Sequence, residues 1–177
     1  HAEPADTYPL GLRAAVPVRA GILAIDDTGF PKQGTDSVGV QRQYCGALGK
    51  VGNCQVAVSS ALIAADRTWP LAFDLYVPTS WTDDADRRAA AGLPDTVVFR
   101  EKWKIALAQV RAILKAGFTI TGVVVDADYG RNAAFRDGLE RLGLAQWPSG
   151  WRLDFDIVDV LTLTVTADGD LERVLTA

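Results

Sequence analysis

Apolar and polar positions along the chain predict an alternation of strands and helices. An apolar run at residues 21–25 leads into Asp26 and predicts a buried first strand over 21–26. Residues 38–45 and 55–64 predict a second and a third strand, joined by a glycine-bearing turn. Together these three strands predict an antiparallel meander.

A helical period follows the meander. Four apolar residues recur at i, i+4, i+7 and i+11, and Gly117 stands where a C-terminal cap belongs. A strand over 120–126 and a second helix come next, with Asn132 as the N-cap of that helix and Gly143 as its stop. The apolar stripe of the first helix is Trp103, Leu107, Val110 and Leu114, and that of the second is Phe135, Leu139 and Leu142.

The predicted order is three strands, a helix, a strand and a helix, which is an α/β arrangement. We expect residues 1–20 to be a lead-in, 21–145 to be the core and 146–177 to be an atypical tail. Strict alternation over 161–167 predicts a half-exposed strand that completes or extends the sheet. Residues 69–94 mix Pro, Asp, Trp and Arg, which predicts a long and partly irregular surface segment.

Composition describes an ordinary soluble domain, with 49% hydrophobic and 23% charged residues in 177. No apolar stretch approaches the roughly 20 residues that cross a bilayer, and the start of the chain lacks a secretory pattern. We therefore expect a cytoplasmic protein without membrane association. Cys45 and Cys54 are expected to be reduced, small hydrophobic residues of a hairpin. The single histidine, His1, excludes a His-dependent triad.

The net charge of −4 disfavours a stand-alone nucleic-acid binder, because phosphate neutralisation dominates the affinity of such proteins. Any DNA contact would then depend on a local basic patch or on protein outside this chain. Methionine is absent, even from position 1. We therefore expect a fragment or a processed form.

Two carboxylates end predicted buried strands, Asp26 the first strand and Asp126 the fourth. This order of elements commonly places those two strands side by side, which would bring the carboxylates within a few ångströms. Carboxylates that close repel each other unless a cation is present, and two or three acids suffice to hold Mg²⁺. The pattern predicts a shared divalent-metal site for phosphoryl transfer on nucleic acid.

An Asp after a strand is also typical of a turn or a helix N-cap, and we expect Asp27 and Asp128 to have such roles. The loop over 29–34 lacks the phosphate-binding P-loop pattern. Spacing alone leaves open an unrelated α/β domain in which Asp26 and Asp126 are only structural.

Three stretches, in this order, resemble the DDE transposases of bacterial insertion sequences: IDDTGFPKQGTDSVGVQRQYCGALGKVGNCQVAVS at 25–59, LYVPTSWTDDADRRAAAGLPDTVVFREKWKIAL at 75–107 and VVVDADYGRNAAFRDGLERLGL at 123–144. The resemblance implies a ribonuclease H-like fold, a mixed sheet flanked by helices. Carried over by motif, Asp26 corresponds to the family's first catalytic acid and Asp126 to its second. Both would bind Mg²⁺, with Mn²⁺ as a substitute.

The resemblance implies DNA as the partner, both transposon ends and target, and is compatible with a homo-oligomer. It implies DNA strand cleavage and transfer during transposition. The family's third acid, a Glu on a helix beyond a fifth strand, finds no matching motif, since Glu140 and Glu172 both lie outside one. We therefore expect a truncated catalytic core. The alternative is a catalytically incomplete remnant that keeps the fold as a binding or assembly module.

Overall fold

The computed structural model describes residues 15–64 and 67–144. They form a mixed α/β structure in which a five-stranded sheet is flanked by helices. The strands are β1 (Ala20–Pro31), β2 (Gln41–Cys45), β3 (Lys50–Ala64), β4 (Arg67–Leu75) and β5 (Thr119–Val125). The helices are α1 (Thr79–Thr82), α2 (Ala85–Ala90), α3 (Lys102–Lys115), α4 (Ala127–Arg131) and α5 (Ala133–Arg141).

The sheet is organised around β3. This strand pairs with β1, β2 and β4, each time antiparallel, and β1 pairs in parallel with β5. The predicted meander is therefore wrong, because β1 lies next to β3 rather than next to β2. Residues 56–63 are buried without interruption, which suits a strand covered on both faces. In β2, exposed and covered side chains alternate, which suits an edge.

The segment predicted to be irregular, 69–94, begins inside β4 and continues into α1 and α2. Pro70 argued against a strand in the sequence, because proline cannot donate to a ladder and is confined to edges and bulges. In β4 it pairs with Ala61, next to a shift in the register of the ladder. Only the tertiary pairing with β3 shows that this segment is a strand.

The first strand is longer than predicted, since β1 continues beyond Asp26 to Pro31. The sequence predicts a loop over 29–34, but Gly29 and Pro31 both pair with β3. Gly29 has a packing reason to be glycine, because an added Cβ would lie 2.8 Å from Sγ of Cys45. The Gly/Pro signal therefore marks a close approach and not the end of the strand.

Both predicted helices are confirmed. Helix α3 buries Leu107 and Val110 of the predicted stripe, together with Ile105 and Ile113. Gly117 follows it with φ +84°, as expected for a C-terminal cap. At the start of α5 the amide of Phe135 donates to Oδ1 of Asn132, the predicted N-cap, at 3.0 Å.

The hydrophobic core lies between the sheet and helices α3 and α5, and a buried polar network crosses it. Gln109 of α3, 3% exposed, donates to the carbonyl oxygen of Val58 at 2.8 Å and to Oδ2 of Asp74 at 2.7 Å. Its Oε1 accepts from the hydroxyl of Ser60 at 2.5 Å. One side chain thus fixes α3 against both β3 and β4.

Cys45 and Cys54 are free and buried, as predicted, and pack with Val56 beside the end of β2. Burial raises the pKa of the Cys54 thiol to about 11, and the neighbouring Cys45 adds to the rise. The thiol therefore stays protonated at neutral pH.

Most of the predicted lead-in (1–14) and the predicted tail (146–177) lie outside the described residues, as does the strand predicted over 161–167. Within 15–64 and 67–144, no helix has the length and apolar character to span a bilayer.

Replacing Gln109 with Leu should destabilise the protein by about 2–4 kcal/mol, because the buried hydroxyl of Ser60 and the carboxylate of Asp74 lose their partner. Chemical denaturation measures this loss. Arg111→Leu, an exposed change on the same helix, is the control and should stay within about 0.5 kcal/mol of the parent. Equal stabilities for the two variants would show that the network does not hold α3 in place.

Candidate functional site

The parallel pairing of β1 with β5 brings two acidic segments together. Ile25 pairs with Val125 at the end of this ladder, so Asp26 and Asp126 are the next residues on neighbouring strands. The predicted adjacency of the two strands is confirmed. Asp26 is not at a strand end, however, because it pairs with Ser59 inside the longer β1.

Asp26 and Asp27 point to opposite faces of the sheet, because side chains alternate along a strand. Asp26 is 7% exposed, and its Oδ1 accepts from the amide of Asp27 at 2.7 Å. On the same face, the hydroxyl of Ser59 donates to the carbonyl oxygen of Asp26 at 3.1 Å and shares a hydrogen bond with Thr28. The Asp26 side of the sheet is thus buried and polar.

Asp27 faces the helices. Its Oδ1 accepts from the hydroxyl of Tyr129 at 2.6 Å, and its Oδ2 forms an ion pair with Nζ of Lys102. The interpretation of Asp27 as a turn residue is wrong, since the residue lies within β1 and pairs with Val58. Its carboxylate instead joins three elements: β1, the first residue of α3, and α4.

Asp126 is the N-cap of α4. Its Oδ1 accepts from the amides of Asp128 and Tyr129, each at 3.0 Å. The expectation that Asp128 caps this turn is wrong, because Asp128 is an exposed residue in the first turn of the helix. Among the described residues, no donor is bonded to Oδ2 of Asp126, which leaves that oxygen for another partner.

Negative charge accumulates at this site. Burial raises the pKa of Asp126, and the charges of Asp128 and Asp27 add to the rise against the opposing hydrogen bond from the Tyr129 amide. Burial also raises the pKa of Tyr129 above its usual range, and three carboxylates add to that effect. These are Asp27, Asp126 and Asp26, in decreasing order.

The carboxylate oxygens at this site supply some of the ligands that a hard divalent cation requires. Asp27 and Asp126 supply carboxylate oxygens that repel each other, and Mg²⁺ is commonly held by one or two carboxylates with the remaining positions taken by water. Across 15–64 and 67–144, however, no group of three or more His, Cys, Asp or Glu residues is placed to hold a metal ion. The fit is therefore that of a two-carboxylate site.

The predicted lack of a third acid stays a prediction. Glu140 lies on an exposed position near the end of α5. Glu172 lies outside the described residues.

Three residues of this site were missed or misassigned from the sequence: Asp27, Lys102 and Tyr129. A weak signal existed for two of them. Lys102 lies off the apolar stripe of α3, and Tyr129 follows Asp126 by three residues, the spacing at which a capping carboxylate meets an amide. No sequence signal placed either side chain against Asp27, because those contacts join residues 75 and 102 positions apart in the chain.

The chain is similar to known proteins of one family. The family model for DDE superfamily endonucleases matches residues 11–156. A protein from Microchaete diplosiphon, described as a probable transposase for insertion sequence element IS701, is 33% identical over 124 residues. This match covers 70% of the present chain but only 30% of that relative. No solved structure gives a significant match. The chain belongs to the DDE superfamily of endonucleases, among the DDE transposases of insertion sequences.

Proposed function

We propose that this chain supplies catalytic carboxylates for divalent-metal-dependent DNA strand cleavage and transfer during transposition, on a ribonuclease H-like fold. The observation that carries the proposal is geometric: the parallel ladder of β1 and β5 ends at Ile25 and Val125, and Tyr129 donates to both Asp27 and Asp126, which follow that point on the two strands. Family membership supports the reaction class. The sheet order β2–β3–β1–β5, with β4 also paired to β3 and only the β1–β5 pair parallel among the described strands, supports the fold.

Within this proposal Asp126 is one metal ligand, and the Asp26–Asp27 pair provides the other. The resemblance by motif favours Asp26, whereas the contacts favour Asp27, whose side chain lies on the helix side together with Tyr129 and Lys102. We assign the metal-facing role to Asp27. Asp26 then supports the strand from the opposite face through its contact with the Asp27 amide.

The chain's own residues orient these carboxylates. The α4 amides hold Oδ1 of Asp126, whose Oδ2 accepts from no donor among the described residues, while Tyr129 holds Oδ1 of Asp27. When bound, Mg²⁺ or its substitute Mn²⁺ would activate a water or a 3′-hydroxyl and stabilise the leaving oxygen of a phosphodiester. DNA is the proposed substrate, at transposon ends and at the target.

Measurements of metal binding distinguish Asp27 from Asp26 as the ligand that acts with Asp126. Mn²⁺ titration by calorimetry should give a saturable site in the parent chain, lost in Asp126→Asn and in Asp27→Asn because each removes a ligand charge. Asp26→Asn should retain most of the affinity. The reverse ranking of Asp26→Asn and Asp27→Asn would restore Asp26 as the ligand, and undiminished binding by Asp126→Asn would refute the site.

Strand cleavage tests the reaction. Nicking of supercoiled DNA in Mg²⁺ should fall by more than about 100-fold in Asp126→Asn, since even residues that only support metal ligands typically contribute 10–100-fold. Asp137→Asn, an exposed change on α5, is the control and should nick DNA at the parental rate. Mn²⁺ binding without nicking by the parent chain would instead favour the binding or assembly module.

The repulsion between carboxylates also predicts a cost in stability. Asp126→Asn should raise the midpoint of thermal unfolding at pH 7 by a few degrees, because Asn caps a helix as well as Asp does and carries no charge. The raised pKa means that ionisation of Asp126 costs native stability as pH rises above the unfolded value of about 3.9. The gain should therefore disappear at pH 3, where the carboxyl group is neutral. A gain that persists there would contradict an electrostatic cause.

A further inference from the structure

Lys102 occupies one oxygen of the carboxylate to which the proposed function assigns the metal. Its ammonium group pairs with Oδ2 of Asp27, and it lies 5.3 Å from the centre of the Tyr76 ring. The ion pair is only partly buried, since the side chains of Lys102 and Asp27 are 34% and 28% exposed. Solvent and ions can therefore reach this oxygen.

The other oxygen of Asp27 is held differently. Tyr129 donates to Oδ1 from a side chain that is 4% exposed and packs edge-to-face on Phe135, with ring centres 5.6 Å apart. The backbone amide of the same residue donates to Asp126. Tyr129 therefore links the two carboxylates through one buried residue.

The two partners of Asp27 thus differ in how easily they leave. A lysine ammonium is a compact charge on a flexible four-carbon stem, whereas the buried ring of Tyr129 is fixed by packing. Lys102 is the first residue of α3, so its side chain extends from the end of the helix. A divalent cation at Oδ2 would repel the ammonium group, because like charges at contact distance are unfavourable.

We propose that Lys102 is an exchangeable counter-ion, which neutralises Asp27 in the metal-free protein and leaves Oδ2 when a divalent cation binds. Tyr129 is the fixed positioning residue that keeps Asp27 aligned with Asp126 through the exchange. This inference rests on the proposed function. It assigns Lys102 a role opposite to that of a structural ion pair, since the lysine competes with the metal instead of supporting its ligand.

Calorimetric titration with Mn²⁺ tests the exchange without any requirement for DNA cleavage. Lys102→Met keeps an apolar side chain of similar length and removes the charge, and it should tighten Mn²⁺ binding by about tenfold because one competing cation is lost. Lys104→Met is the matched control, because Lys104 lies on the same helix and pairs with the N-cap residue Glu101. This variant should leave the affinity within about twofold of the parent. Tyr129→Phe should weaken binding by about tenfold, as loss of a supporting hydrogen bond typically does.

A thermal melt of each variant, with and without Mn²⁺, verifies folding and gives an independent readout. Lys102→Met should melt lower than the parent without metal, because Asp27 loses its counter-ion, and should gain more from saturating Mn²⁺. Unchanged or weaker Mn²⁺ binding by a folded Lys102→Met variant would overturn the exchange while the parent still binds the metal. Absence of Mn²⁺ binding in the parent and in every variant would overturn the proposed function, and the exchange with it.

Discussion

The parallel pairing of β1 with β5 is the constraint on which the site depends. Two strands separated by nearly a hundred residues run side by side, and their ladder ends at Ile25 and Val125. The acidic residues of the site, Asp26, Asp27 and Asp126, come directly after that point on the two chain segments. A parallel pair of strands needs a crossover connection, and helix α3 is part of the connection between β1 and β5. Because α3 packs on the sheet, its first residue, Lys102, lies against Asp27.

The carboxylate that caps α4 is also one to which the proposed function assigns the metal. Asp126 holds the first turn of α4 through the amide of Tyr129, and the hydroxyl of that tyrosine holds Asp27. Displacement of α4 would therefore misplace both carboxylates at once. Gln109 has the corresponding role for α3, because its buried hydrogen bonds fix the helix whose first residue is Lys102.

Ionisation of Asp126 is disfavoured at this site. Burial and the charges of Asp128 and Asp27 oppose ionisation of Asp126, although its capping hydrogen bonds favour the charged form. Asn caps a helix about as well as Asp does, as Asn132 shows at the start of α5. The carboxylate of Asp126, whose ionisation is opposed by burial and by neighbouring charges, agrees with the proposal that this site meets a cation.

Local sequence patterns were sufficient to predict helices α3 and α5 and their ends. The apolar stripe of α3, the cap Asn132 and the stop signals at Gly117 and Gly143 were all readable, because helix boundaries depend on neighbours within a few residues. The motif around Asp126 was readable for the same reason.

Tertiary structure decided the rest. It placed β3 rather than β2 beside β1, made a strand of the segment with Pro70, and extended β1 past Gly29. It also distinguished Asp27 from Asp26, since the face that a strand residue occupies depends on where the helices pack and not on the local sequence. Two adjacent aspartates look equivalent along the chain. Only the sheet, with Lys102 and Tyr129 on one side of it, makes them different.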